Sequence, residues 1–369
     1  MEQSISTLGS HSALDVCEGA KKEGFGTIVV AQKGRDKTYS KYYKTRKRKD
    51  GAEAGVIDEI VLLENFKDIV AKQNLAKLKN SIFVPNRSFA VYVGYDNIEN
   101  KFGKEFGVPI FGNKYLLRAE ERSALKNQYY LLEKAGIRTP KTFSDPKQID
   151  RLSIVKVNEA KRTYERAFFL CRSYEEYLEK SGTMLKAGKI KPDDLKNARI
   201  EEYIVGAHFN LNFFYSPVNS ELELLGIDTR RQTNIDGYLR MPADMQLELL
   251  KTAQPSTIEV GHIACTLRES LLEQVFDIGE RFVDAVQKEP MYGKNGGLIG
   301  PFALQGAFVE EGKEEFVCFD VSFRMPGSPG TRFTPYSEYL LGKSTSFGRR
   351  IAMEVKAAKK KKMIDEITS

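Results

Sequence analysis

Short apolar runs of β character alternate with amphipathic stretches through the first hundred residues. Ile5 to Leu8 predicts a strand, Gly9-Ser10-His11-Ser12 a turn, and Ala13 to Lys22 a helix with apolar residues at helical spacing. Gly24-Phe25-Gly26 ends that helix, and the β-branched run Thr27 to Ala31 predicts a second strand. Ile60 to Leu63, a helix near 66–79 and the strand Ser81 to Val84 follow. Strands alternating with helices predict a parallel sheet, whose functional groups gather where strands end and helices begin. The turn 9–12 and Pro85-Asn86-Arg87-Ser88 both hold that position. His11 there either faces a ligand or caps and packs, and Ser12 is either a contact or a helix N-cap.

A second region opens at Pro109-Ile110-Phe111-Gly112-Asn113. The pattern predicts one long helix from about Tyr115 to Lys134, ended by Ala135-Gly136-Ile137. Strands are expected at 152–158, 167–171 and 198–205, with a helix from Tyr174 between the last two. Asn210 to Tyr215 and Leu222 to Asp228 read as antiparallel strands, and a helix at 268–287 precedes strands at 300–309 and 315–323. The expected class is therefore α/β followed by α+β. The run Lys359 to Lys362 belongs to a terminal helix and reads as its solvated face.

At 369 residues the chain exceeds the size at which one core keeps growing, so two or three subdomains are expected, at 1–112, 113–206 and 207–369. No run approaches the roughly 20 apolar residues of a membrane span, and no basic segment leads into an apolar one at the start. A soluble, cytoplasmic protein without a membrane partner is expected. Cys17, Cys171, Cys265 and Cys318 are widely spaced and read as buried thiols rather than a disulfide framework. Three histidines without metal-ligand spacing argue against a zinc enzyme.

Charge is concentrated. Residues 33–49 hold nine Lys/Arg and one Asp, so the remainder of the chain is nearly neutral despite the net charge of +7. Tyr39, Tyr42 and Tyr43 interleave this run. The alternatives are a nucleic-acid contact, a solvated loop, a subunit contact or an entrance for anionic substrates. Without a recognisable binding fold, nucleic acid is not the expected partner.

Candidate chemistry lies in the second half. Lys156 sits in the apolar strand Ile154-Val155-Lys156-Val157, where an ammonium either snorkels to the surface or meets an anion. Glu201 and Glu202 stand in an apolar strand ending at Gly206, as a ribose contact or as ordinary paired acids. The segment 228–236 is rich in fork donors and acids: Arg230 and Arg231 could clamp a phosphate, and Asn234 could orient a carboxamide. Gln305 precedes Asp320-Val321-Ser322-Phe323-Arg324, an acceptor, a carboxylate and an arginine of the kind that hold a hard cation against phosphate oxygens.

In order, Gly112-Asn113, the Ala135-Gly136-Ile137 helix end, Lys156, Glu201-Glu202, Gln305 and Asp320-x-Ser322-x-Arg324 resemble the ATP-grasp superfamily. Gly9-Ser10-His11-Ser12, Val84-Pro85-Asn86-Arg87-Ser88, Gly226-Ile227-Asp228, Ile235-Asp236-Gly237 and Gly300-Pro301-Phe302 narrow this. With them, nearly the whole chain resembles the archaeal formate-dependent AICAR ligases. These enzymes of purine (IMP) biosynthesis make FAICAR from AICAR, formate and ATP through formyl phosphate.

The resemblance implies an ATP-grasp fold with an N-terminal parallel α/β domain, a small lid and a central α+β core. It implies AICAR contacts from His11, Ser88, Asn234 and Arg230, and ATP contacts from Lys156, Glu202 and Arg166. It places Mg²⁺ (or Mn²⁺) on Gln305 and Asp320, gives Lys156 and Arg324 the charge-offsetting catalytic roles, and implies a homo-oligomer. Three departures stand out. Ser322 replaces the usual Asn, Asn86-Arg87 replace His-Gly, and 158–168 lacks the glycines that usually cover the phosphates, leaving Lys161, Arg162 or Arg166 for those contacts. A related ligase with another acid or amine and a non-catalytic nucleotide-binding paralogue are the alternatives.

Overall fold

The computed structural model describes residues 3–121, 123–158, 166–252, 257–311 and 313–369. The chain divides into two compact units that are discontinuous in sequence. The larger comprises Met1–Gly136, Phe209–Gln305 and Asp320–Ser369, and the smaller Ile137–His208 and Gly306–Phe319.

In the larger unit four parallel strands lie in the order Glu59–Leu63, Gly26–Gln32, Ser4–Leu8, Ser81–Val84. Ser4–Leu8 is central, and Ile5, Ser6, Thr7 and Leu8 are all buried, as a strand covered on both faces must be. Its polar members are satisfied: Ser6 Oγ meets Ser81 Oγ at 2.8 Å, and Thr7 Oγ1 donates to the Val84 carbonyl at 2.9 Å. After Leu8 the chain turns sharply. Ser12 adopts φ 60° and donates its hydroxyl to the Pro326 carbonyl at 2.6 Å.

The helix Ala13–Lys22 buries Ala13, Val16, Cys17, Gly19 and Ala20, and packs on the late helix Phe347–Lys361. Two glycines let the backbones touch. A Cβ on Gly19 would stand 2.1 Å from the Arg349 amide nitrogen, and one on Gly348 would stand 2.1 Å from the Asp15 carbonyl oxygen. Beside this seam Asp15 is buried, accepting from the Gly348 N–H at 3.1 Å. Burial pushes its carboxyl up to about 6, with bonding at Ser346 and Gly348 pulling the other way.

An antiparallel pair joins Ala207–Ser216 to Glu221–Thr233, which pairs in turn with Thr257–Cys265. Gly300–Glu311 and Lys313–Ser322 complete that sheet, leaving the larger unit after Gln305 and returning to it at Asp320. The helix Phe347–Lys361 is anchored to this sheet by charge. Arg350 donates from Nε and Nη2 to the two oxygens of Glu223, both at 2.6 Å, and from Nη1 to Glu354 at 2.8 Å. Ser216 Oγ donates to Glu354 at 2.8 Å, and the guanidinium lies over the Phe214 ring. All three charged groups are buried.

The smaller unit holds an antiparallel sheet in the order Thr142–Phe143, Arg199–Glu202, Ser153–Asn158, Arg166–Cys171. Phe143, Val155, Val157, Cys171, Tyr177 and Ile200 form its core beneath the helix Tyr174–Lys186.

Two expected helices are broken, each for a local reason. The stretch 115–134 is a 3₁₀ turn, Leu116–Glu120, and a separate helix, Gln128–Lys134. Glu120 is drawn away to accept from the Phe323 N–H at 2.8 Å and from Arg324 Nε at 3.1 Å. Asn127 then restarts the helix as N-cap, accepting from the Tyr129 and Tyr130 amides. The stretch 66–79 divides into Phe66–Val70 and Lys72–Ala76, because Ala71 between them is extended. The basic segment 33–49 forms one π-helical turn, Thr38–Tyr42, and the first arm of a small hairpin, Arg46–Lys47 with Glu53–Ala54. All four cysteines are free thiols. Among the described residues no helix is long and apolar enough to cross a membrane.

Candidate functional site

A narrow polar pocket of about 30 Å³ lies within the larger unit. The turn after the central parallel strand supplies His11, and the start of the helix Arg87–Val93 supplies Arg87. The antiparallel strands contribute Asn210, Asn212, Asp228, Arg230 and His262, and the last hairpin Gln305 and Ser322. Arg324 and the loop Pro326-Gly327-Ser328 close it. Side chains two apart on a strand share a face, which puts 210 with 212 and 228 with 230. Register then sets Asn210 opposite Asp228, and Arg230 opposite His262.

The buried carboxylate of Asp228 is the fixed point. It accepts from Asn210 Nδ2 at 2.8 Å, Asn212 Nδ2 at 2.7 Å and His262 Nδ1 at 2.6 Å. Around it the pocket is crowded with donors. Ser328 Oγ is buried and meets no hydrogen-bonding partner among the described residues, a feature that suits a polar ligand. A Cβ on Gly327 would lie 3.1 Å from His11 Nδ1 and 3.4 Å from His262 Nε2, so only a glycine fits between the two imidazoles without pressing on them.

At the other end, Gln305 accepts at Oε1 from Arg230 Nη2 and donates from Nε2 to Ser322 Oγ at 3.0 Å. Asp320 precedes Ser322 by two on one strand and so shares its face. Arg324 is buried and braced by Glu120. Burial, reinforced by Glu120, pushes the Tyr95 phenol up to about 12, with Arg324 and Arg87 opposing. The oxygen donors of Gln305 and Asp320 are of the hard type that Mg²⁺ prefers. Among the described residues no group of three or more His, Cys, Asp or Glu could hold a metal. A cation held here would therefore complete its shell with oxygens of a substrate or water. The guanidinium on Gln305 Oε1 shows that this oxygen already attracts positive charge.

Of the expected AICAR contacts, His11 and Arg230 line the pocket. Ser88 braces the turn, its hydroxyl bonded to Ser10 Oγ at 2.7 Å. Asn86 caps the same helix by accepting from the Phe89 N–H and holds the Leu8 carbonyl at 2.8 Å. Asn234 begins the 3₁₀ turn Asn234–Gly237, with Nδ2 3.4 Å from Tyr238 Oη.

The smaller unit carries the expected ATP contacts. Lys156 meets an anion rather than snorkelling: it pairs with the buried Glu201, which also accepts from Arg199 Nε at 2.6 Å. Glu202 accepts from the Lys141 N–H at 3.1 Å. Arg166 opens the strand Arg166–Cys171, and residues 159–165 of the glycine-free segment, Lys161 and Arg162 among them, lie outside the described residues.

The sequence reading missed the Asp228–His262 pair, Glu120 and Gly327. The strand alternation Asn210-x-Asn212 with Asp228-x-Arg230 was a usable signal for the first. Nothing local marks His262 or Glu120.

A parallel N-terminal sheet joined to an antiparallel core and a small antiparallel unit defines an ATP-grasp protein. Solved structures agree: N5-carboxyaminoimidazole ribonucleotide synthetase from Thermotoga maritima matches at TM-score 0.51 and 13% identity, over 96% of this chain and 76% of that one. The chain belongs to the family of 5-formaminoimidazole-4-carboxamide-1-(beta)-D-ribofuranosyl 5'-monophosphate synthetases. The relative of that name from Methanopyrus kandleri is 40% identical over 99% of this chain and 95% of its own length. The crystal structure of an IMP biosynthesis protein PurP from Thermococcus kodakaraensis matches at TM-score 0.72 and 30% identity, covering 99% of this chain and all of that one. Two family profiles of unknown function also match, DUF1246 over residues 5–143 and DUF1297 over 176–369.

Proposed function

We propose that the protein is the ATP- and formate-dependent ligase that formylates AICAR to FAICAR, a C–N bond-forming enzyme of purine biosynthesis acting in the cytoplasm. The observation that carries this reading is one pocket joining His11 and Arg87 to Gln305, Ser322 and Arg324, in a chain whose full-length relatives bear the synthetase name. Formate attacks the γ-phosphate of ATP to give formyl phosphate and ADP, and the AICAR amine then attacks the formyl carbon and releases phosphate. Mg²⁺ held by Gln305 and Asp320 would supply charge neutralisation at the phosphates. Arg324, kept in place by Glu120, offsets charge on the transferred group, and Lys156 contacts the nucleotide phosphates once released from Glu201. Glu202 takes the ribose and Arg166 a phosphate. His11, Arg230, Ser88 and Asn234 hold AICAR, whose weakly nucleophilic amine makes orientation a large share of the barrier reduction. A homo-oligomeric working form belongs to the same reading and rests on the family resemblance, and the division at 1–112, 113–206 and 207–369 rests on the length and pattern of the sequence.

The decisive assay measures ADP and FAICAR with ATP, formate and AICAR each omitted in turn. FAICAR that appears only with all three is the expected result, and ATP turnover indifferent to AICAR defeats the reading. The glycine-free segment 158–168 favours one alternative, a paralogue that binds nucleotide without turning it over. It predicts AICAR or ATP binding without ADP release, and no activity for Asp320→Ala to remove.

A further inference from the structure

Joining an amine to a formyl group leaves a surplus proton on nitrogen, and the pocket holds a group arranged to take it. We propose that His262 is the general base of the formyl-transfer step, held in its working tautomer by Asp228. This inference rests on the ligase reading above.

Three observations support it. Asp228 is 1% exposed and receives both asparagine amides as donors, so the carboxylate is the acceptor of all three bonds. Across the 2.6 Å contact His262 Nδ1 can donate to that carboxylate, and in the neutral ring such a bond puts the lone pair on Nε2. Nε2 lies beside Gly327, as does His11 Nδ1: a Cβ there would stand 3.4 and 3.1 Å from them. His262 also lines the same pocket as Gln305 and Arg324, the groups assigned to the phosphate end. The carboxylate then stabilises the imidazolium as it forms.

The step balances. The amine lone pair forms the C–N bond to the formyl carbon. An N–H proton passes to His262 Nε2 while its electron pair stays on nitrogen. The bond between the formyl carbon and the bridging oxygen breaks, its electron pair staying on that oxygen, and the departing inorganic phosphate takes the proton from the imidazolium, restoring the base.

A purely structural brace between two strands would be felt in both half-reactions, whereas a base for the amine is felt in one. The test compares His262→Gln and Asp228→Asn with the unmodified protein in two measurements. Scrambling of ¹⁸O between bridging and non-bridging positions of ATP, with formate and without AICAR, reads formyl phosphate formation. FAICAR release at saturating AICAR reads transfer. Both variants are expected to keep scrambling and to lose FAICAR formation by ~10²–10⁴-fold. Imidazole added to His262→Ala is expected to restore part of the transfer rate. Unchanged FAICAR formation in His262→Gln overturns the proposal, as does scrambling that falls by the same factor as transfer. If His262→Gln does not fold, Asp228→Asn decides by the same two measurements. An unmodified protein that makes no FAICAR removes the parent reading instead.

Discussion

Two buried carboxylates on the strand Glu221–Thr233 are neutralised in different ways. Glu223 faces the helix seam and is gripped through both oxygens by Arg350, both contacts at 2.6 Å. Asp228 faces the pocket and is held by two asparagine amides and an imidazole. Burial pushes the Glu223 carboxyl up and Arg350 opposes it. A permanently charged, bidentate partner makes a cross-link that does not change during a reaction. Neutral amides with a titratable imidazole instead leave a carboxylate that can answer a positive charge when one arrives. One end of the strand is built to stay as it is, and the other to respond.

Breaking the seam end should have the largest effect on stability. Arg350→Ala leaves Glu223 and Glu354 buried without their cation, and loses about 3–5 kcal/mol in denaturant unfolding. Leaving the strand but staying on the seam, Gly348→Ala forces the two helix backbones apart and costs about 1–3 kcal/mol by the same measurement, because its Cβ meets backbone rather than a flexible side chain.

Asp15 supplies a pH-dependent check on that side. Its folded value, about 6, exceeds the ordinary 3.8, so the protonated form is favoured by folding. Its contribution is full below pH 3.8 and is lost as the pH rises through 6. Asp15→Asn should therefore gain on the unmodified protein, by on the order of 2–3 kcal/mol, between acid and neutral pH. A difference in melting temperature that does not vary with pH would refute this. The pocket end should respond in activity rather than stability. Gly327→Ala places a methyl between His11 and His262 and should slow turnover roughly tenfold, about 1.4 kcal/mol, with an unchanged melting temperature.

What the sequence made legible follows from range. The helix Ala13–Lys22 and the strands beside it were readable because apolar spacing and flanking glycines act over a few residues. Gln305 and Arg324, which line one pocket, were readable by chemical type and by their places around the last hairpin. The break in 115–134 was not, because Glu120 answers to the Phe323 amide two hundred residues later. Likewise, Glu201 as the partner of Lys156 depends on a cross-strand register, Arg199 opposite Lys156, that no local pattern announces. His262 lacks a motif of its own and acquires meaning only when three strands align.

The contact of Gly19 with the Arg349 backbone bears on how the protein is made. The cover for the first helix is translated about 330 residues after it, which at ribosomal speed is roughly 15–65 seconds. Through that interval Val16 and Ala20 emerge without the neighbours that bury them. The nascent larger unit therefore waits half-built, and its apolar face is available to chaperones until the helix Phe347–Lys361 leaves the ribosome.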